Sequence, residues 1–178
     1  MRELSYPKNK INVLLLEKVD KVAFDLFKEE GYNVESLDGS LDEKDLIKKI
    51  KDVSILGIRS KIIISDKVIK SANKLLAIGA FCIGTNQIKF ESCIDSGIVI
   101  FNAPYSNTRS VVEIVIAQII NLMRKIVIKS NKMHSGVWRK DSLDSFEIRN
   151  KVIGIVGYGN IGSQLSVICE ALGMKVLY

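Results

Sequence analysis

The sequence predicts an α/β protein with two successive units, each built on a parallel sheet covered by helices. Short apolar runs alternate with segments of helical period from Ile11 onward, and a glycine-rich turn follows the last long apolar run. The 178 residues suffice for one ordinary domain, or for a small domain and part of another. An apolar fraction of 47% with a charged fraction of 26% is typical of a soluble globular protein.

Five short apolar runs predict the strands of the first sheet. They are INVLLL at Ile11, YNVESL at Tyr32, VSILGI at Val53, LLAIGA at Leu75 and IVIF at Ile98.

Apolar residues at helical spacing between these runs predict the crossover helices. The first pattern extends from Val19 to Phe27, and Gly31 follows where a helix commonly ends. The same reasoning places three further helices near residues 42–50, 65–72 and 89–96. Gly97 would end the last of them. The first hundred residues are therefore predicted to form one doubly wound α/β domain.

A long helical pattern follows Pro104. Ser110 and Glu113 have the spacing of a capping box, which predicts one helix from about Ser110 to Met133. Such a helix would be about twice the ordinary length and would lead to a second domain. The polar segment from His134 to Ser145 then predicts a surface loop or hinge.

The segment from Val152 onward predicts a strand, a tight glycine turn, a helix to about Leu172 and the start of another strand at MKVLY. Because a strand precedes the GxGxxG pattern and a helix follows it, the pattern predicts a dinucleotide-binding turn. Gly157 would allow the turn, Gly159 would let the backbone approach a pyrophosphate, and Gly162 would let the helix pack closely.

The acidic residue that completes this fingerprint is normally found about 20 residues further on, where it contacts the ribose. Counted from Gly159, that position falls at or just past Tyr178. The sequence therefore does not distinguish NAD from NADP.

Charge, apolar runs and cysteines argue against several other classes of protein. The net charge of +6 comes from dispersed lysines, so no nucleic-acid partner is expected. Arg124 and Lys125 interrupt the longest apolar run, and the first ten residues lack the apolar core of a signal peptide. A cytoplasmic protein with no membrane partner is expected. The three cysteines have no CxxC pair, so they are expected to be reduced and mostly buried, with no metal site.

Ligands of open α/β sheets bind beyond the carboxyl ends of the strands. Arg59 to Lys61 follow the third predicted strand and could bind a carboxylate or phosphate, or simply lie at the surface. Ile83 and Gly84 follow the fourth strand and could present backbone N–H groups to an anion, or form an ordinary turn. Asn102 to Asn107 follow the fifth strand.

The only histidine and the only tryptophan lie near the polar connection. His134 is expected at a helix end or hinge rather than as a general base, because it is remote from any predicted strand end. Trp138 is expected to be a packing anchor at the domain junction.

Five segments together resemble the D-2-hydroxyacid dehydrogenases. They are RSKIIIS at Arg59, IGAFCIGTNQI at Ile78, GIVIFNAPYSNTRSVVE at Gly97, HSGVW at His134 and VIGIVGYGNIGSQLSVICEALGMKV at Val152. The resemblance covers nearly all of the chain from Ile11 onward. It implies a flavodoxin-like doubly wound parallel sheet as the substrate-binding domain, residues 1–106. The first part of an NAD-binding Rossmann domain, residues 107–178, would follow.

The resemblance also implies a reaction, an NAD-dependent oxidation of a 2-hydroxy acid. FCIGTNQ together with FNAPYSNTRSV is typical of the branch that oxidises 3-phospho-D-glycerate to 3-phosphohydroxypyruvate in L-serine biosynthesis. The implied substrate contacts are Arg59, Ser60, the backbone of Ile83 and Gly84, and Asn107. The implied cofactor contacts are Gly157, Gly159, Asn160, Ile161 and Gly162.

The family's catalytic arginine, glutamate and histidine lie downstream of the glycine turn, beyond Tyr178. No catalytic residue is therefore expected in this chain, and the chain alone is expected to be inactive. The full-length protein is expected to be a homo-oligomer. Two alternatives remain open: a non-catalytic short paralogue that binds a small anion or a full-length subunit, and a dehydrogenase of another 2-hydroxy acid or a cofactor-sensing corepressor.

Overall fold

The computed structural model describes residues 6–178, which separate into two compact units at the peptide between Pro104 and Tyr105. Residues 1–5, which belong to the ten-residue segment predicted not to be a signal peptide, lie outside the described range. Within that range, no helix is long and apolar enough to cross a membrane.

The first unit contains a five-stranded, entirely parallel sheet in the order β2-β1-β3-β4-β5. The strands are Asn12–Leu15 (β1), Asn33–Ser36 (β2), Ile55–Ile58 (β3), Ala77–Ala80 (β4) and Val99–Asn102 (β5). All five predicted strands are confirmed. The order is the flavodoxin-like one, in which the direction of winding reverses between β1 and β3.

Four helices connect the strands, as predicted. They are Lys21–Glu29 (α1), Glu43–Lys49 (α2), Asp66–Ser71 (α3) and Phe90–Asp95 (α4). Asp20 caps α1 by accepting a 2.9 Å hydrogen bond from the N–H of Val22, which satisfies a backbone donor that the helix leaves free. Gly31 and Gly97 follow α1 and α4 with φ of 88° and 68°, the left-handed conformation that glycine adopts without strain.

Both faces of the central strands β1 and β3 are buried, which explains the uninterrupted apolar runs of these two strands. Along β1, Val13 and Leu15 pack with α1, whereas Leu14 and the following Leu16 belong to the larger core on the opposite face. Successive strand residues point to opposite faces, so a strand covered on both sides needs apolar residues at every position.

The second unit contains three helices and a two-stranded parallel sheet. Its elements are Thr108–Arg124 (α5), Ile126–His134 (α6), Val152–Gly154 (β6), Asn160–Ala171 (α7) and Lys175–Leu177 (β7). Val112 of α5 packs against Leu165 and Cys169 of α7 in a small core. The predicted strand, glycine turn, helix and beginning strand are therefore confirmed.

The predicted single helix from Ser110 to Met133 is wrong, because the chain contains two helices separated by Lys125. Lys125 has φ 53° and ψ 38°, a left-handed conformation that ends α5. The Asn121 side chain accepts a 3.0 Å hydrogen bond from the N–H of Val127 and so satisfies a backbone donor in the first turn of α6.

The predicted capping box is also wrong. The helix begins at Thr108 with Asn107 as its N-cap, so Ser110 already lies inside the first turn. Glu113 instead forms a 2.8 Å ion pair with Arg109, four residues earlier on the same helix face.

The connection that follows α6, residues 135–145, is a loop, as predicted. His134 is the last residue of α6, and its Nδ1 lies 2.8 Å from the carbonyl oxygen of Ser130, which confirms the helix-end position. Trp138 is 71% exposed, so its predicted role as a packing anchor is wrong. Cys93 and Cys169 are buried and Cys82 is half-buried, which confirms that the cysteines are mostly buried.

Candidate functional site

A polar pocket of about 530 Å³ lies at the carboxyl ends of β1, β2 and β3. It is lined by Glu17 and Lys18 after β1, by residues 38–40 after β2, and by residues 59–61 after β3. The winding of the sheet reverses between β1 and β3, and open α/β sheets bind their ligands in the crevice that this reversal opens.

Arg59 and Ser60 are both exposed in this pocket, as the strand-end prediction requires. Across residues 6–178, no side chain or carbonyl accepts a hydrogen bond from the Arg59 guanidinium, and no carboxylate forms an ion pair with it. A guanidinium has five N–H donors in a planar fork that matches carboxylate and phosphate oxygens. The pocket can therefore bind an anion through Arg59 without first breaking an ion pair to any of residues 6–178.

Two buried polar side chains hold the backbone beside this guanidinium. The carboxylate of Glu17 accepts hydrogen bonds from the N–H groups of Arg59, at 2.6 Å, and Lys61, at 2.8 Å. On the other side, the Gln87 amide donates a 2.8 Å hydrogen bond to the carbonyl oxygen of Arg59. Neither Glu17 nor Gln87 was a predicted site residue, although both follow predicted strands.

Ile83 and Gly84 lie in the turn after β4, the strand next to β3. Their carbonyl oxygens are engaged: Ile83 accepts from the side chain of Asn102 at 2.9 Å, and Gly84 accepts from Gln87 at 3.2 Å. Within the described part of the chain, nothing accepts a hydrogen bond from the N–H groups of Ile83 or Gly84. No residue of the described range therefore blocks these two donors, and their contact with an anion stays a prediction.

Asn107 belongs to the second unit, where it is the exposed N-cap residue of α5. Its side chain makes no capping hydrogen bond, so the carboxamide is available to a ligand. The next residue, Thr108, is buried, and its hydroxyl has no hydrogen-bond partner among the described residues.

The glycine turn between β6 and α7 has the geometry of a dinucleotide cradle. Gly157 has φ 95°, which only glycine adopts readily, and Gly159 is the N-cap of α7. A Cβ added at Gly159 would meet no atom within 4 Å, whereas one at Gly162 would lie 2.3 Å from the carbonyl oxygen of Gly157. This geometry is compatible with the roles predicted for turn, approach and close packing, and the cofactor contacts stay a prediction.

The first turn of α7 offers the donors that a pyrophosphate needs. Asn160 is exposed and Ile161 is half-buried, and both lie where helical N–H groups have no partner within the helix. The side chain of Ser163 turns back to donate a 2.8 Å hydrogen bond to the carbonyl oxygen of Gly159, and no hydrogen bond from those N–H groups is present among residues 6–178. Nearby, the rings of Tyr158 and Tyr178 stack with their centres 3.9 Å apart.

A further pocket, of about 650 Å³, is lined by α6 and by the loop that follows it. It is larger than the pocket at the strand ends, but it lies at neither a strand end nor the glycine turn. We place the candidate site at the strand ends because the Arg59 guanidinium and the N–H groups of residues 83 and 84, none of which has a partner among residues 6–178, follow adjacent strands of one sheet.

Residues 13–172 match the family model of the D-isomer specific 2-hydroxyacid dehydrogenase catalytic domain. The chain therefore belongs to this family. D-3-phosphoglycerate dehydrogenase of Dictyostelium discoideum is 51% identical to it over 98% of the chain and 43% of that relative. The Escherichia coli K12 enzyme of the same name is 45% identical over 100% of the chain and 44% of its own length. The chain thus spans less than half the length of these relatives.

Solved structures show the same fold. The structure of the TT0316 protein of Thermus thermophilus aligns with 94% of this chain and with 55% of its own length, with a TM-score of 0.87 and 24% identity. The NAD+-bound 3-phosphoglycerate dehydrogenase of Entamoeba histolytica matches 94% of the chain and 53% of its own, with a TM-score of 0.73 and 24% identity. Both likenesses confirm the predicted α/β fold class.

Proposed function

We propose that this chain is the N-terminal part of an NAD-dependent dehydrogenase that oxidises 3-phospho-D-glycerate to 3-phosphohydroxypyruvate in L-serine biosynthesis. The observation that carries this proposal is the guanidinium of exposed Arg59, which has no ion-pair partner among residues 6–178, at the point where the sheet reverses its winding. The 45% and 51% identity to relatives named for that activity supports the choice of substrate.

In this proposal, residues 1–106 form the substrate-binding domain. The guanidinium of Arg59 and the hydroxyl of Ser60 hold the anionic groups of the hydroxy acid. The free N–H groups of Ile83 and Gly84 add donors, and the Asn107 carboxamide contributes a further polar contact. Each of these groups is a hydrogen-bond donor, which suits a substrate with a carboxylate and a phosphate.

Residues 107–178 form the start of the NAD-binding domain. The backbone of Gly157, Gly159, Asn160 and Ile161 would hold the cofactor pyrophosphate, while Gly162 keeps α7 against the turn. Bound NAD supplies the acceptor for the hydride of the substrate. No side chain of this chain is assigned to proton transfer, because His134 lies at the end of α6 and bonds to its own helix. We therefore expect the chain alone to bind its substrate without turning it over. The proposed full-length protein is a homo-oligomer.

The test compares binding with turnover on the 178-residue protein. Isothermal titration calorimetry should detect 3-phosphoglycerate and a weaker response to D-lactate, which lacks the phosphate. An assay of NADH formation should show no steady-state turnover, with a full-length phosphoglycerate dehydrogenase as the positive control. Equal affinity for D-lactate would favour a dehydrogenase of another hydroxy acid. Turnover comparable to that of the full-length control would contradict the proposal that this chain contains no catalytic residue.

A further inference from the structure

We infer that Glu17 is a positioning residue for anion recognition, which acts by holding the backbone from which the Arg59 guanidinium projects. The inference rests on the proposed function, because it takes the anion at Arg59 to be the substrate. Glu17 is 7% exposed, and its two carboxylate oxygens accept the N–H groups of Arg59 and Lys61. A carboxylate shielded from water in this way is stable only when its oxygens are hydrogen-bonded.

The backbone at Glu17 adopts an unusual conformation that brings this side chain into place. Glu17 and Lys18 have φ of 62° and 54°, in the left-handed region that residues with a side chain rarely adopt. Glycine would be the easier residue for such a turn. The N–H of Glu17 also donates a 3.1 Å hydrogen bond to the carbonyl oxygen of Gly39, so Glu17 connects the segments that follow β1, β2 and β3.

Gln87 completes the support from the opposite side. It is 8% exposed, and its amide donates to the carbonyl oxygens of both Arg59 and Gly84. The Arg59 backbone is thus held at its N–H by one buried side chain and at its carbonyl by another, while no residue of the described part of the chain pairs with its guanidinium. This support fixes the anchor of the guanidinium before any ligand binds, which lowers the entropic cost of binding.

The Glu17→Gln variant distinguishes loss of positioning from loss of charge, because the two losses change the Kd for an anion in opposite directions. Removing a negative charge from an anion pocket should by itself tighten anion binding. The Gln amide, however, places an N–H₂ group against one of the two backbone donors, so one hydrogen bond to a charged acceptor is lost. We expect the Kd for 3-phosphoglycerate to rise about tenfold, the equivalent of one such bond. Asp38→Asn is the matched charge control, since exposed Asp38 lines the same pocket without bonding to the 59–61 turn, and it should bind more tightly.

A double-mutant cycle with Arg59→Lys distinguishes positioning from a general loss of structure. If Glu17 acts through Arg59, the Glu17→Gln change should have a smaller effect on the Kd in the Arg59→Lys background. An equal effect in both backgrounds would overturn the inference. Gln87→Met is the second variant should Glu17→Gln fail to fold, and it should also weaken binding because it removes the amide that holds the Arg59 carbonyl.

Calorimetry on the 178-residue protein separates the two proposals. A wild-type chain that does not bind 3-phosphoglycerate overturns the proposed function and this inference together. A wild-type chain that binds, with a Glu17→Gln variant that binds equally or more tightly, overturns the positioning role alone. Weaker binding by Glu17→Gln and tighter binding by Asp38→Asn is the result that the structure predicts.

Discussion

Substitution of Gly162 by alanine tests the glycine cradle most severely. The added Cβ would lie 2.3 Å from the carbonyl oxygen of Gly157, 3.3 Å from its carbonyl carbon and 3.2 Å from a methyl group of Ile155. The nearest atom is backbone, so α7 has to move away from the turn. Overpacking of this kind costs about 1–3 kcal/mol of unfolding free energy.

Gly159→Ala is the matched control in the same turn. No atom lies within 4 Å of its added Cβ, and its φ of −85° suits any residue. We expect its unfolding free energy to change by less than about 1 kcal/mol, as for alanine at an N-cap. NADH binding should nevertheless be lost, because the new methyl group occupies the space through which a pyrophosphate would approach the backbone.

Urea unfolding followed by circular dichroism measures both stabilities, and NADH titration of the folded variants measures binding. The predicted pattern is a destabilised Gly162→Ala variant and a stable Gly159→Ala variant that does not bind. Equal stabilities, or NADH binding by Gly159→Ala at the wild-type affinity, would refute the roles assigned to the two glycines.

Three further predictions concern the first unit. Arg59→Met should raise the Kd for 3-phosphoglycerate by about 10- to 100-fold, the cost of one or two charge-assisted hydrogen bonds, and an unchanged Kd in calorimetry would remove Arg59 from the site. Gly57→Ala should lower the unfolding free energy by about 1–3 kcal/mol in urea, because its Cβ would lie 2.6 Å from the Leu15 side chain; unchanged stability would show that this side chain moves aside freely. Burial raises the pKa of the Cys93 thiol, so iodoacetamide should alkylate half-buried Cys82 first, and mass spectrometry showing equal rates would contradict this order.

The central strands β1 and β3 could be predicted because burial on both faces leaves a clear signal in the sequence. Runs such as LLL at residues 14–16 are apolar at every position, and each ends at a polar or glycine-containing turn. The glycine turn could also be predicted from the sequence, because only glycine fits at two of its positions. The positive φ requires glycine at residue 157, and close packing requires it at residue 162.

The break between α5 and α6 had no comparable signal. Neither glycine nor proline occurs there, and the left-handed residue is a lysine. Contacts remote in sequence stabilise the break: Lys125 forms a 3.0 Å ion pair with Asp144, and the N–H of Phe146 donates to the carbonyl oxygen of Met123. Helical periodicity is a local property and does not register such contacts.

The site was partly predictable for a similar reason. Position after a strand was enough to propose Arg59 and Gly84 as site residues, because ligands of these sheets bind at strand ends. Glu17 follows β1 in the same way, but a carboxylate is not an expected component of an anion pocket. Only its hydrogen bonds to the N–H groups of Arg59 and Lys61 reveal that it supports the site.

The most direct test of the proposed function is a titration of the ¹⁵N-labelled 178-residue protein with 3-phosphoglycerate, followed by NMR. The proposal predicts saturable shifts of the backbone amides of Arg59, Ser60, Ile83 and Gly84, with D-lactate producing smaller shifts at the same amides. Absence of shifts at these positions, or shifts confined to the pocket formed by α6 and its following loop, would contradict it.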